Sequence, residues 1–598
     1  MTKKQDTQTS WDLSPLFQGD NDPSMQAWEK EVKKMTSVFV SCWKTNTEYL
    51  SDSTVLRKAL DEYEQWIAKY EGYGKESYYW SLRSSQDATS PIIKAKETLI
   101  QQKAIALQND TQFFLLSLAK IPEETQRVFL TAPNLSPYRN MLKQLFREGR
   151  YLLSEAEERI LNLKTLPAHI KWVGMVSDLF ATEEVEVQGQ KEKKTFEETL
   201  ALLQSKSKET REAAAEASYR AMDKHGDTAT AELNAVLLNK KIDDEIRGMP
   251  RPDLARHIAD DMESKTVDAL VKAVSSRADI SSRYYKLKAR LLGEKTIVYH
   301  DKSAQHGDLP SLPLFEEAVG IVGNTLKTLD PECTSIFYGF LRNGQIDVFP
   351  YTGKSGGAFC ASGLVSNPTY ILLNYTGTMY DAEVLAHEVG HGIHNELMRK
   401  NRDALSFGTS LAVAEVASTF FEDFTLEEIG KNLKEEQRLA LLMAKLNRDM
   451  SGVFRQIACY RFEWDLHHTF REKGHLSKED IGELFVRNMS SYLGESVFFP
   501  PRAELGWTYW SHIRRFFYVY SYASGALIAK ALQKKVRENP GEMENFKKIL
   551  SLGTSLSPKD MFASVGIDIS DTSFWLGGLS EIERLVQEAE SLAEKMGR

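Results

Sequence analysis

Four cysteines in 598 residues are few, and Cys42, Cys333, Cys360 and Cys459 are scattered with no C-x-x-C pair. That excludes a disulfide-framed scaffold or a cysteine zinc ribbon and fits free thiols in a reducing cytosol. Long apolar runs are missing too: no stretch approaches the length of a membrane span. The opening M-T-K-K-Q-D-T-Q-T-S-W is basic, but no apolar core follows, so it does not read as a signal peptide. Positive charge is not in excess. The net charge is −9 with no basic stripe, which speaks against a nucleic-acid partner. No repeat of fixed period points to a solenoid, and no G-x-x-x-x-G-K-[ST] points to a phosphate loop. What is left is a cytoplasmic globular chain of ordinary composition, 42% hydrophobic and 27% charged. Its length predicts two or more lobes.

Histidine is scarce, 12 in all, yet Thr378 to Lys400 holds three of them in T-M-Y-D-A-E-V-L-A-H-E-V-G-H-G-I-H-N-E-L-M-R-K. His387, Glu388 and His391 form H-E-x-x-H. Thr378 with Asp381 three residues on is a capping-box pattern. Val384, Leu385, Val389, Ile393 and Leu397 recur at helical spacing. On a helix, residues four apart lie one above the other, so both imidazoles can reach one metal ion. Glu388 is then placed as a general base toward the attacking water, the arrangement of a zinc metallopeptidase. The bland alternative is an amphipathic helix with exposed His and Glu. It is disfavoured because cap, period and motif agree.

A catalytic zinc site takes three protein ligands. His394 is the nearest competitor, but three ligands on one straight helix span two turns and cannot all approach one ion. The metzincin spacing also fails, because position 397 is Leu. Glu415, in L-A-V-A-E-V-A-S-T-F-F-E-D-F, is the better third ligand. Gly408 breaks the chain and Thr409 or Ser410 can cap a new helix. Ala412, Ala414, Ala417 and Ser418 let that helix come close to the first. Glu422, two turns on, is either an orienting partner of a ligand imidazole or a solvated acid beside Asp423.

Most of the chain reads as helix, including 195–247, 264–292, 409–428, 433–470, 477–491, 508–535 and 572–595. Residues 344–378 differ: they are β-branched, aromatic and Gly-rich. Strands are expected near 345–349 and 369–375, with a Gly-rich loop between them. Strand 369–375 and the Gly-rich loop could hold an extended peptide, and Gly353, Gly356 and Gly357 would allow close backbone approach. A plain hairpin with a flexible turn is the alternative. A polar hairpin at Glu183–Lys194 suggests a boundary, giving an N-terminal helical lobe, 1–195, and a helical catalytic domain, 196–598.

Several segments in order carry a family resemblance: W-D-L-S-P-L-F (11–17), G-K-S-G-G-A-F-C (353–360), N-P-T-Y-I-L-L-N-Y-T-G-T (367–378), H-E-V-G-H-G-I-H (387–394), A-E-V-A-S-T-F-F-E (414–422) and S-H-I-R-R-F-F-Y-V-Y-S-Y-A-S-G (511–525). The sequence resembles the thimet oligopeptidase and oligoendopeptidase F family of zinc peptidases, most of all the oligoendopeptidase F branch. The resemblance implies a mainly α, two-lobed protein with a deep channel and one small sheet beside the zinc helix. It implies one Zn²⁺ held by His387, His391 and Glu415, with His394 not a ligand. It implies that short unstructured peptides are the partners. It also implies a His and a Tyr that contact substrate and bear the oxyanion. His512 matches the His. Tyr520 is the first choice for the Tyr and Tyr518 the second, with Tyr522 still open. Without the resemblance, the aromatic stretch with Trp507, Trp510, Phe516 and Phe517 reads as core.

The expectation is therefore a cytoplasmic zinc endopeptidase of oligopeptides, with no nucleic-acid or membrane partner and an unassigned oligomeric state. Two rivals stand beside it. A dipeptidyl carboxypeptidase would need a group that recognises a free carboxylate. A helical peptide-binding protein would have lost its activity.

Overall fold

The computed structural model describes residues 8–401 and 403–598. The basic start of the chain, residues 1–7, lies outside the described residues. The protein is mainly α, and its sheets are small. All four cysteines are free thiols. No described helix is long and apolar enough to cross a membrane.

The chain packs as two compact units, each built from three segments. Residues to Arg150, Pro310–Asn432 and Lys535–Ile567 form the first, and Tyr151–Leu309, Leu433–Lys534 and Asp568–Arg598 the second. This differs from the contiguous division at 195. The expected hairpin exists, with Glu184–Val185 paired antiparallel to Lys194–Thr195, but it sits inside the second unit. A hairpin marks a local reversal. What groups segments is burial between helices far apart in sequence, which local pattern does not encode.

In the first unit the sheet orders as β1 (Ile346–Asp347), β3 (Tyr370–Leu372) and β2 (Phe359–Ala361), with β3 in the middle. β1 runs parallel and β2 antiparallel to it. β2 lies inside the stretch expected to be a Gly-rich loop. The loop is pinned rather than flexible: Lys354 Nζ reaches Asp347 Oδ1 at 2.7 Å, and Asn374 Nδ2 donates to the carbonyls of Ser355 and Gly357. A Cβ on Gly356 or Gly357 would meet nothing within 4 Å. Gly357 is there for its positive φ, +76°, while Gly353 combines a positive φ of +92° with close approach, since a Cβ there would lie 3.0 Å from Asp87 Oδ1. The N-terminal W-D-L-S-P-L-F segment anchors this sheet. Trp11 Nε1 donates to Ile371 O at 2.8 Å, and the Tyr370 hydroxyl donates to Asp12 O at 2.7 Å.

The helix α1 (Met379–Asn401) follows β3. Its start is the expected capping box: Asp381 N–H donates to Thr378 Oγ1, and Thr378 N–H donates to Asp381 Oδ2. Leu385, Val389, Ile393 and Leu397 are buried. Gly392 fits α1 against the sheet layer, since a Cβ there would lie 2.7 Å from the Phe340 ring and 3.4 Å from Ile371 Cδ1. The helix expected over 409–428 is interrupted. A single turn, Leu411–Ala414, ends at Glu415 (φ −86°, ψ 2°), and α2 (Val416–Gly430) continues from there.

In the second unit Lys208–Arg247 is a single helix of 40 residues. Glu435–Asp449 and Arg455–Lys473 are joined through a π-turn, Met450–Phe454. The helix expected over 508–535 starts only at Tyr520. Phe516 and Phe517 both take positive φ, +49° and +61°, which ends any helix before them.

Candidate metal centre

The chain brings together, in the first unit, the three residues singled out as ligands. One donor atom from each of His387, His391 and Glu415 lies within 4.8 Å of the others. Glu415 Oε2 stands 3.3 Å from His387 Nε2 and 3.5 Å from His391 Nε2. The break in the helix at Glu415 and the approach of α2 to α1 put it there. At the crossing, a Cβ on Gly390 would come within 2.7 Å of Ser418 Cα and 2.8 Å of Ala417 O. Two helices therefore meet backbone to backbone, and a carboxylate as short as Glu reaches both imidazoles. Ser418 Oγ donates to Glu415 Oε2 at 2.9 Å and fixes its rotamer.

Glu422 resolves as a partner of His387, its Oε2 3.0 Å from Nδ1. Hydrogen bonding at Nδ1 leaves Nε2 as the donor that faces His391 and Glu415. Replacing Glu422 by Gln is expected to weaken retention of the metal by about 10–100-fold with the fold intact. Equilibrium dialysis against a chromophoric chelator measures this; undiminished retention would remove Glu422 from the site. His394 is buried away from the cluster, and burial pushes its imidazole down to about 3.

The electrostatics suit a cation. Burial pushes His391 down to about 4, so it is a neutral donor. Burial acts the same way on His387, but its hydrogen bonds to Glu415 and Glu422 prevail and hold it up at about 10. Burial raises Glu415, yet the His387 hydrogen bond and the charges of His391 and His387 hold it down at about 2. Two carboxylates thus gather one positive charge onto His387, and a divalent ion can take that proton's place. Glu388, almost fully buried beside them, is pushed up to about 7, mainly by burial. It accepts a hydrogen bond from the backbone of Cys360 in β2. A divalent ion at the cluster would draw that value down.

The remaining predicted residues lie in the second unit, on a segment of short turns, 507–519. Its frame is buried and ionic. Arg514 makes two hydrogen bonds from Nε and one from Nη2 to Glu232, at 2.8–3.0 Å, and donates to the carbonyls of Trp507, Thr508 and Trp510. Phe517 N–H donates to Glu463 Oε2 at 2.6 Å, holding the left-handed pair. His512 and Tyr518 are half-buried, and Tyr518 Oη hydrogen-bonds to His512 Nδ1. Tyr522 is exposed, with its ring 6.0 Å from that of His512. Tyr520, the first choice on sequence, is instead a core residue. It is fully buried, its hydroxyl donates to Asp260 Oδ2 at 2.7 Å, and its ring packs on His257 and Tyr460. A phenol bound this way cannot meet a substrate carbonyl.

Comparison with known proteins finds similarity to one group of peptidases. The model of peptidase family M3 matches residues 335–581, and the oligopeptidase F model matches residues 118–173. The oligoendopeptidase F homolog of Borreliella burgdorferi is 25% identical over 94% of each chain. Oligopeptidase PepF of Bacillus subtilis is 25% identical over 99% of this chain and 88% of its own. The crystal structure of oligoendopeptidase-F from Enterococcus faecium superposes with a TM-score of 0.70 at 19% identity, covering 96% of this chain and 100% of that one. At that identity the likeness speaks to fold.

Proposed function

We propose, from the premise that this chain belongs to peptidase family M3 and within it to the oligoendopeptidase F group, that it is a zinc-dependent endopeptidase of short oligopeptides. The observation that carries the reading is the convergence of His387 Nε2, His391 Nε2 and Glu415 Oε2, with Glu388 beside them. Two imidazoles and one carboxylate are a donor set that suits Zn²⁺. Zinc held there would supply Lewis acidity toward water and the scissile carbonyl.

The chain's own residues do the rest. Glu388 takes a proton from the attacking water and delivers it to the leaving amine. Glu422 keeps His387 in the tautomer that presents Nε2. The open side of β2, the terminal strand of its sheet, pairs with the extended peptide. Strand 369–375 cannot serve, because β3 is flanked on both sides by β1 and β2. His512 contacts substrate and Tyr518 bears the oxyanion. Tyr518→Phe is then expected to lose about 10²–10³ in turnover. Tyr520→Phe should leave turnover near wild type and cost about 1 kcal/mol of stability through the lost Asp260 hydrogen bond. Kinetics and melting of the two variants side by side check this, and the reverse ranking would return the role to Tyr520.

The direct test is an internally quenched short peptide blocked at both ends. Internal cleavage is expected, abolished by chelation and restored by one equivalent of zinc. A blocked peptide left intact while its free-carboxyl form is trimmed would favour the carboxypeptidase. No cleavage of either by zinc-loaded protein would favour the binding protein.

A further inference from the structure

Two cations of the second unit, Lys302 and Arg455, act on one another. Lys302 and Arg455 are both half-buried, and among the described residues neither makes an ion pair. Each instead lies over an aromatic face. Lys302 Nζ is 3.8 Å from the centroid of the Tyr299 ring, and Arg455 Cζ is 4.5 Å from that of Trp510. Phe485 links the two platforms, with ring centroids 6.4 Å from Tyr299 and 6.1 Å from Trp510. Trp510 in turn meets His512 at 6.1 Å. The nearest acid in sequence, Asp301, is already taken by Arg211 at 2.7 Å. A third cation adds to the excess: Lys288 donates to the Lys302 carbonyl and to Asn447 Oδ1.

Like charges set this deep repel. Burial, then Arg455 and Lys288, push the Lys302 ammonium down to about 7. Arg455 Nε is buried without a hydrogen-bond partner. Cation–π contact of this kind is worth about 0.5–2 kcal/mol, less than the several kcal/mol that desolvating a cation costs. The backbone also aims Arg455 on purpose. It is the first residue after the π-turn 450–454, and such turns re-aim a side chain within a helix, often at functional sites.

We propose that Lys302 and Arg455 form a carboxylate-binding subsite for the peptide, set beside His512; this rests on the peptidase reading above. Arg455 offers its guanidinium fork and Lys302 a point charge, while the aromatic walls exclude water around the bound anion. The carboxylate is either the peptide's C-terminus or an acidic side chain.

The test uses the full-length, zinc-loaded Glu388→Gln protein, so that binding is read without turnover. Calorimetry compares one short peptide in three forms: blocked and neutral, with a free C-terminal carboxylate, and blocked with one added glutamate. At least one acidic form is expected to bind about tenfold or more tightly than the neutral one, and whichever it is identifies the source of the carboxylate. Adding Lys302→Gln or Arg455→Gln should bring the ratio toward one, while Arg455→Lys should keep part of it. Melting curves confirm that each variant is folded. Equal affinity for all three forms, or a preference that survives both Gln variants, would overturn the subsite. Wild-type protein that shows the preference but never cleaves would sink the peptidase reading alone. Cleavage without any charge preference would sink the subsite alone.

Discussion

Zinc-loaded Glu388→Gln is expected to lose about 10²–10⁴ in kcat, the range that a positioned general acid–base contributes, while keeping one metal per chain. Glu388 follows His387 directly on α1, and it is almost fully buried. Burial pushes its pKa to about 7, while the positive charge on His387 draws it down. A bound divalent ion would draw that value down, which keeps the carboxylate ionised at neutral pH and able to take a proton from water. Gln keeps the size and the hydrogen bond to the Cys360 backbone but cannot carry a proton. It also removes a buried charge, so the variant should melt no lower than wild type, and full metal loading with lost turnover isolates the proton step. Zinc analysis, melting and peptide cleavage on one preparation check all three. Activity within tenfold of wild type at full loading would remove Glu388 from the chemistry.

The clustering of the candidate ligands was legible in part because two of them are local. Two histidines four apart, a capping box and an apolar stripe place His387, Glu388 and His391 without any tertiary information. Glu415 was legible for a different reason. The small residues around it announce a close helix crossing, and the structure locates that crossing at Gly390 against Ala417 and Ser418. Tyr520 was misread because the same aromatic run serves both core and surface. Helical periodicity cannot be applied across Phe516 and Phe517, whose left-handed backbone depends on Glu463, far away in sequence. Nothing in Y-V-Y-S-Y says that Tyr520 answers to Asp260. The third strand was missed for a similar reason. Phe359–Ala361 is short and embedded among glycines, and only its partner β3 makes it a strand. The interleaving of three segments in each unit is likewise a property of distant burial.

Gly390→Ala tests whether the close crossing is what builds the third ligand. The added Cβ would meet Ser418 Cα at 2.7 Å and Ala417 O at 2.8 Å. These are backbone atoms of α2 and cannot turn aside as a flexible side chain would. Either α2 moves outward or α1 bends, at an overpacking cost of about 1–3 kcal/mol. Ser418 also holds Glu415 Oε2, so an outward shift of α2 carries the carboxylate with it. A ligand displaced by even a few tenths of an ångström leaves the 2.0–2.2 Å range that zinc accepts, roughly, from a carboxylate. Zinc retention should therefore fall at least as far as for Glu422→Gln, about 10–100-fold, and activity with it. Gly320→Ala is the matched control. Gly320 lies within the helix Phe315–Leu329 of the same unit, and a Cβ there meets nothing within 4 Å. That substitution should gain about 0.5–1 kcal/mol, because alanine loses less backbone freedom on folding than glycine. Melting and chelator competition on the pair separate a general helix effect from the crossing. If Gly390→Ala holds zinc as tightly as wild type, Glu415 reaches the ion by some route other than the contact of α1 with α2.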